Sequence, residues 1–336
     1  MTYLNSILQY PSIHGTVQYT QKMLSVIKTE ISNALCSSKE FTQYLDTISI
    51  ITTGSYGRDE ASENSDLDIF ILSEKILDEN QKSILSELLT SLIQPILQRH
   101  ICKDNGSSNT FGTKVITSIS ELSDHVGGIS DSNQNLTRRM LTILEGRSLF
   151  NDNLFENLRN ILLTKYISIN ENELTRYFLN DLIRYYRTIT TDFQRKMDDG
   201  QDWGLRNIKL KFSRKLIYFS GITIVYELLK FDTSENKITR ALELIKIPPL
   251  ERLYSVFNEY NSEQISQIFK EYDSFLEALE RDENRKILNN CKKENKDECE
   301  LYKELNQKSK KYEENFLNII NTQNYRDYPF INALIC

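Results

Sequence analysis

Two short apolar runs joined by a glycine-led polar loop set the tightest limit on how this chain can fold. Thr47 to Thr53 is rich in β-branched residues and stops at Gly54, and Leu67 to Leu72 is a second run too short for a buried helix. Both read as strands of one sheet. Strand alternation then puts Asp66 and Asp68 on one face, while Leu67, Ile69 and Ile71 point the other way into a core. Residues 16 to 36 carry Val17, Met23, Leu24, Ile27, Ile31 and Leu35 at helical spacing, Glu79 to His100 is a long amphipathic segment, and Phe111 to Ile119 reads as a third strand. The class expected is α+β: a small mixed β-sheet with flanking helices, followed by an all-helical domain.

From Asn151 onward only helical periods remain, so the boundary is expected between Arg147 and Asn153, with domains at 1–150 and 151–336. Within the second domain, Arg281 to Glu314 is almost wholly polar and reads as solvated helix. No internal repeat and no extended low-complexity tract interrupts this plan.

Composition narrows the function classes. With 39% hydrophobic residues the chain has enough apolar surface for a core. Its five cysteines are scattered without a CxxC pair, and three histidines show no ligand spacing, so neither a disulfide framework nor a zinc site is expected. The first twenty residues lack a leader pattern, and no window is apolar enough for a membrane span, which makes the cytosol the expected compartment. A net charge of −6 restricts any attraction to nucleic acid to a local basic patch. No membrane and no DNA partner is expected.

The loop between the two strands carries chemistry. From Gly54 the chain reads GSYGRDEASENSDLDIFIL. A glycine at a strand's end lets the backbone approach a phosphate, and the amides that follow can open a helix N-terminus toward it. Two carboxylates presented together repel unless a cation sits between them, and Mg²⁺ or Mn²⁺ is the usual solution where the substrate is a polyphosphate. Asp66 and Asp68 are therefore the expected metal ligands and catalytic residues, with Gly54, Ser55 and Arg58 on the nucleotide.

This arrangement resembles the nucleotidyltransferase superfamily that includes DNA polymerase β, whose signature is Gly-Ser, a spacer of roughly ten residues and Asp-x-Asp on a strand. The extension Gly57 to Glu60, followed by Ser65-Asp66, is similar to the bacterial protein uridylyltransferases of nitrogen sensing and their shorter relatives. The resemblance implies metal-dependent transfer of a nucleotide from an NTP to a hydroxyl on a protein or RNA, with release of pyrophosphate. One departure stands out. Superfamily members commonly add a third carboxylate on a later strand, and Phe111 to Ile119 contains none; Asp104, Glu121 and Asp124 are its nearest acids in sequence.

A second constellation follows Trp203, in WGLRNIKLKFSRKLIYFSG. Leu205, Ile208, Phe212, Leu216 and Phe219 form an apolar stripe, and Arg206, Lys209 and Ser213 form a polar stripe beside it at i, i+3 and i+7. Two cations and a hydroxyl so placed can meet a triphosphate, and superfamily relatives with a helical domain use a comparable Lys and Ser. Trp203 is expected to anchor a helix junction, and Arg138 and Arg139 to mark a helix's exposed start.

Alternative functions on the same core are synthesis of a cyclic or linear oligonucleotide signal, transfer to a small molecule such as an aminoglycoside, or nucleotide binding without chemistry in a regulatory module. The missing third acid favours the last.

Overall fold

The computed structural model describes residues 2–101, 113–124, 126–167, 175–198, 202–322, 324–325, 328–330 and 332. Cys102, Asp104, Phe111, His125, Leu174 and Cys336 lie outside them. The chain divides into two compact units: Thr16–Ile169, and Met1–Gly15 together with Asn170–Cys336.

The first unit is built on four strands, β1 (Ile48–Thr53), β2 (Asp68–Ser73), β3 (Ile116–Ser118) and β4 (Arg147–Phe150), in the order β3-β2-β1-β4. β1 is antiparallel to both β2 and β4, and β2 is parallel to β3, so the sheet is mixed. Its alternation sorts the side chains cleanly. Ile48, Ile50, Leu67, Ile69 and Ile71 join one core cluster with Ile27, Ile31 and Leu35 of the helix Pro11–Ser37 and with Leu85, Leu89 and Ile93 of Glu79–His100. Ile51 and Leu72, of opposite parity, are buried on the other face, the side on which the helix Asp152–Ile167 packs against β1. Sequence capping sets the entry of Glu79–His100: Asp78 Oδ1 accepts from Gln81 N at 2.8 Å, and Gln81 Oε1 accepts from Asp78 N at 3.0 Å.

Two boundaries differ from the sequence reading. The expected break at 147–153 falls on β4 and on the start of a helix that packs against β1, so the sheet unit continues past residue 150. The expected strand from Phe111 is described only as Ile116–Ser118, with a 3₁₀ turn over Thr113–Val115 before it and a helix at Ile119–Ser123 directly after it. A capping box closes that strand, because Ser118 and Glu121 satisfy each other's orphan amides.

Among its described residues the second unit is helical, apart from a two-residue pairing of Asn324–Tyr325 with Tyr328–Pro329. Helix Gly204–Lys209 passes through a π-helical turn at Leu210–Arg214 into Lys215–Glu227. Phe212 stacks on Phe275 at 4.6 Å between centroids, and Phe219 on Phe316 at 4.1 Å, tying this segment to helices Ser262–Glu280 and Glu300–Thr322. The polar tract 281–314 is therefore more than a solvated helix: Leu288, Tyr302, Leu305 and Tyr312 are buried at spacings that give it an apolar stripe. Among the described residues no helix is long and apolar enough to cross a membrane.

Candidate active site

β2 begins at Asp68, and Asp66 lies two residues before it. Both side chains are exposed, while the intervening Leu67 and the following Ile69 are buried in the core cluster. Asp68 is fixed through its backbone. It pairs with Thr53 across the sheet, and its carbonyl accepts from Thr52 Oγ1 at 2.8 Å.

Gly54 follows Thr53 directly and adopts φ +70°, a left-handed conformation that glycine takes without steric cost. A Cβ on this residue would stand 2.5 Å from Asp68 Oδ2, so the carboxylate occupies the space that a side chain would fill. Gly57 is constrained from the other direction, because a Cβ there would lie 2.0 Å from the Glu145 carbonyl. Neither position tolerates alanine without a local shift.

The turn is braced from beneath by residues remote in sequence. Glu145 Oε1 accepts from Gly54 N at 3.0 Å, and Glu145 Oε2 accepts from Arg58 Nη1 at 2.6 Å. Arg58 Nε in turn donates to Glu60 Oε2 at 2.8 Å. All three side chains are nearly inaccessible. Arg58, expected on the nucleotide, is thus held by two carboxylates inside the unit, and one amide of the expected phosphate cradle, that of Gly54, is already satisfied by protein. Ser55 is half-buried, and its carbonyl closes the turn by accepting from Glu60 N at 2.9 Å.

A second ion pair flanks the first. Asp59, also left-handed at φ 61°, is 2.9 Å from Arg147 Nη1 through Oδ1 and accepts from Arg147 Nη2 through Oδ2 at 3.0 Å. Burial pushes the Asp59 carboxyl above its ordinary range, and Arg147 only partly offsets this. Glu145 and Arg147 were not legible as part of the site, and the Gly57 to Glu60 extension gave no sign that Asp59 and Glu60 each hold an arginine. Glu145 lies 87 residues beyond Arg58, and no local spacing announces a contact across that distance.

Topology disposes of two candidates for a third acid. Ser118 of β3 is the register partner of Ser73, at the end of β2 remote from Asp68. Glu121 and Asp124 follow Ser118, so the length of β2, about 17 Å at 3.3 Å per residue, separates their end of the sheet from Asp68. Glu121 also has a local task. Although its burial acts to raise its pKa, hydrogen bonds from Ser118 and the Lys82 charge prevail and hold it below the usual carboxylate range. Among the described residues, no group of three His, Cys, Asp or Glu is placed to hold a metal ion.

The pair Asp66 and Asp68 nevertheless suits Mg²⁺ or Mn²⁺. Hard cations take oxygen donors, and Mg²⁺ in phosphoryl-transfer sites is commonly held by one or two carboxylates with substrate phosphates completing the shell. The missing Cβ of Gly54 lets the Asp68 carboxylate lie against the turn, and both carboxylates are exposed to a cation arriving with substrate.

In the helical unit the expected polar stripe divides. Arg206 and Lys209 are exposed, whereas Ser213 is buried and its Oγ accepts from Tyr272 OH at 3.3 Å. The cause is the π-helical turn at Leu210–Arg214, which changes the angular register so that α-helical spacing does not carry past Lys209. Ile208, Phe212, Leu216 and Phe219 are all buried, with Leu205 at their edge. Trp203 packs on Tyr302 at 4.9 Å between centroids, beside the bond from Gly204 N to the Cys291 carbonyl, so it sits at a helix junction. Arg139 differs from expectation. It lies in the second turn of the helix Asn133–Leu144, is fully buried, and donates to Asp131, Tyr166 OH and the Leu122 carbonyl. Arg138, half-buried, donates to the Lys114 carbonyl.

Residues 31–106 match the family model of the nucleotidyltransferase domain, a stretch that contains β1, the Gly54 turn, Asp66, Asp68 and β2. No curated protein matches the chain.

Proposed function

We propose that this protein transfers a nucleoside monophosphate from an NTP to a hydroxyl group on a protein or RNA, with release of pyrophosphate. The observation that carries this reading is the Asp68 carboxylate lying against the Cβ-less Gly54, with Asp66 exposed two residues before it, inside the stretch that matches a nucleotidyltransferase domain. The Gly57 to Glu60 extension supports kinship with the protein uridylyltransferase group.

In the reaction the acceptor oxygen bonds to the α-phosphorus, the bond from that phosphorus to the pyrophosphate oxygen breaks, and the acceptor proton passes to solvent. Asp66 and Asp68 would hold a divalent cation, which when bound offsets the charge that builds on the α-phosphate and the leaving group. Thr52 and Gly54 keep Asp68 in place, and Glu145 with Arg58 keeps Gly54 in its left-handed turn. Within the helical unit, exposed Arg206 and Lys209 are proposed to meet phosphate, while the Ser213 hydroxyl serves Tyr272.

A second reading has a specific observation behind it. No third carboxylate joins Asp66 and Asp68 among the described residues, as suits a nucleotide-binding regulatory module without turnover. Incubation with each NTP and Mg²⁺ or Mn²⁺ separates the cases. Transfer releases pyrophosphate only when a suitable acceptor is added, a signal synthase releases it from NTP alone, and a regulatory module binds NTP without releasing any.

A further inference from the structure

The helical unit carries a basic, aromatic stripe that the nucleotide site does not use. Lys211 and Lys215 are one helical turn apart on the segment that leads into Lys215–Glu227 and face the helix Glu300–Thr322: Lys211 Nζ donates to Asn306 Oδ1 at 2.5 Å, and Lys215 Nζ is 2.7 Å from Glu313 Oε2. Lys310, four residues after Asn306 and three before Glu313, lies on that same helix face by spacing and is exposed. Lys296, also exposed, adds to the field at Lys211 from the loop before that helix. Lys296 and Lys310 make no ion pair among the described residues. Lys215, Lys310 and Lys296 thus all add positive charge at Lys211, where Glu313 is the carboxylate that opposes them.

Aromatic surface continues the stripe. Tyr218 follows Lys215 by three residues and stacks on Tyr186 of the helix Arg176–Asp198, with centroids 4.7 Å apart and planes inclined by 20°. Both rings are only partly buried, and Arg187 contributes positive charge at Tyr218.

We propose that Lys211, Lys215, Lys296 and Lys310, with the Tyr186–Tyr218 stack beside them, form a binding stripe for single-stranded RNA. Ammonium groups spaced along a groove track a phosphate backbone without reading sequence, and partly exposed tyrosines offer faces on which unpaired bases stack. The protein's net charge of −6 makes this local excess a directed feature and not part of a basic surface. Lys211 records the crowding: burial, followed by the neighbouring Lys215, lowers its pKa, and a bound polyanion would relieve that repulsion.

Binding needs neither NTP nor metal, so its test is separate from that of nucleotide transfer. Fluorescence anisotropy of a labelled oligouridylate is read across a salt series, with the full chain and with the triple variant Lys211→Gln, Lys215→Gln and Lys310→Gln. Wild type is expected to bind, and more tightly than to a duplex of equal length. The triple variant should lose roughly tenfold or more in affinity, and its log–log salt slope should fall by about 2, near 0.7 for each phosphate no longer neutralised. If the triple variant does not fold, Lys296→Gln with Lys310→Gln, both at exposed positions, should lower the slope by about 1.4. Absent binding by wild type, an unchanged slope in the folded variants, preference for duplex, or displacement by NTP without metal would each overturn the assignment, the last by making the stripe a triphosphate site.

Discussion

Gly54 and Asp68 are fitted to each other: the glycine is left-handed at φ +70°, and the space its absent side chain leaves is filled by Asp68 Oδ2, 2.5 Å from where a Cβ would be. Gly54→Ala should therefore cost about 1–2 kcal/mol for the left-handed backbone alone. It should also displace the carboxylate. The variant is expected to melt below wild type and to lose most of the rise in melting temperature that NTP with Mn²⁺ produces. An alanine variant that keeps the full rise would show that the close approach has no bearing on the site.

Glu145 has two tasks, and they can be pulled apart. Glu145→Ala removes the acceptor for Gly54 N–H and leaves Arg58 short of a partner in a buried place, where loss of one member of an ion pair costs about 3–5 kcal/mol. Glu145→Gln discharges the pair but still offers an oxygen to Gly54. Thermal melts with and without NTP are expected to show both variants destabilised and only the alanine variant deaf to nucleotide. Equal loss of the nucleotide response in both would mean that the charge, and not the hydrogen bond to Gly54, is what the turn needs.

Asp59 predicts a pH dependence. Its carboxyl binds its proton more tightly in the folded protein than in the unfolded chain, because burial outweighs the help from Arg147. The stability it contributes is thus present below the unfolded value of 3.8 and is lost as pH rises through the raised folded value. Melting curves of wild type and Asp59→Asn over that window should show the variant gaining on wild type as pH increases. A variant that loses ground to wild type as pH rises would reverse the sign and contradict the account.

Lys209→Ala and Ser213→Ala should behave differently from one another. Lys209 is exposed, so its removal should leave stability within about 0.5 kcal/mol while weakening NTP binding. Ser213→Ala leaves the Tyr272 hydroxyl without this acceptor in a buried place and should cost about 1 kcal/mol, with little change in nucleotide affinity. Calorimetric titration beside thermal melts distinguishes them, and a nucleotide affinity that falls only in Ser213→Ala would invert the assignment.

What could be read from sequence followed from how far apart the interacting residues lie. Leu67, Ile69 and Ile71 alternate with Asp66 and Asp68, so a period of two residues was enough to separate core from exposed carboxylates. The brace under Gly54 was invisible because Arg58 and Glu145 meet only after the chain has passed, among the described residues, through β2, β3 and the helices that flank them. β4 was hidden by its length, since Arg147–Phe150 is too short to show alternation. Ser213 misled for a different reason: its spacing from Lys209 is sound for an α-helix, and the chain there takes a π turn. Arg139 looked like a solvated cation because its partners Asp131 and Tyr166 lie on elements that periodicity does not connect.

The central claim is tested most directly by Asp66→Asn with Asp68→Asn, measuring pyrophosphate release and thermal melting on the same preparation. Neighbouring carboxylates repel, so discharging both should leave the metal-free fold as stable as wild type or slightly more so. Stabilisation of the transition state by a metal ion is worth several kcal/mol, so NTP turnover should fall by about a hundredfold to ten-thousandfold, and the metal-dependent rise in melting temperature with NTP should vanish. A double variant that melts far below wild type while its folded fraction keeps full specific activity would make the aspartates structural and contradict the account.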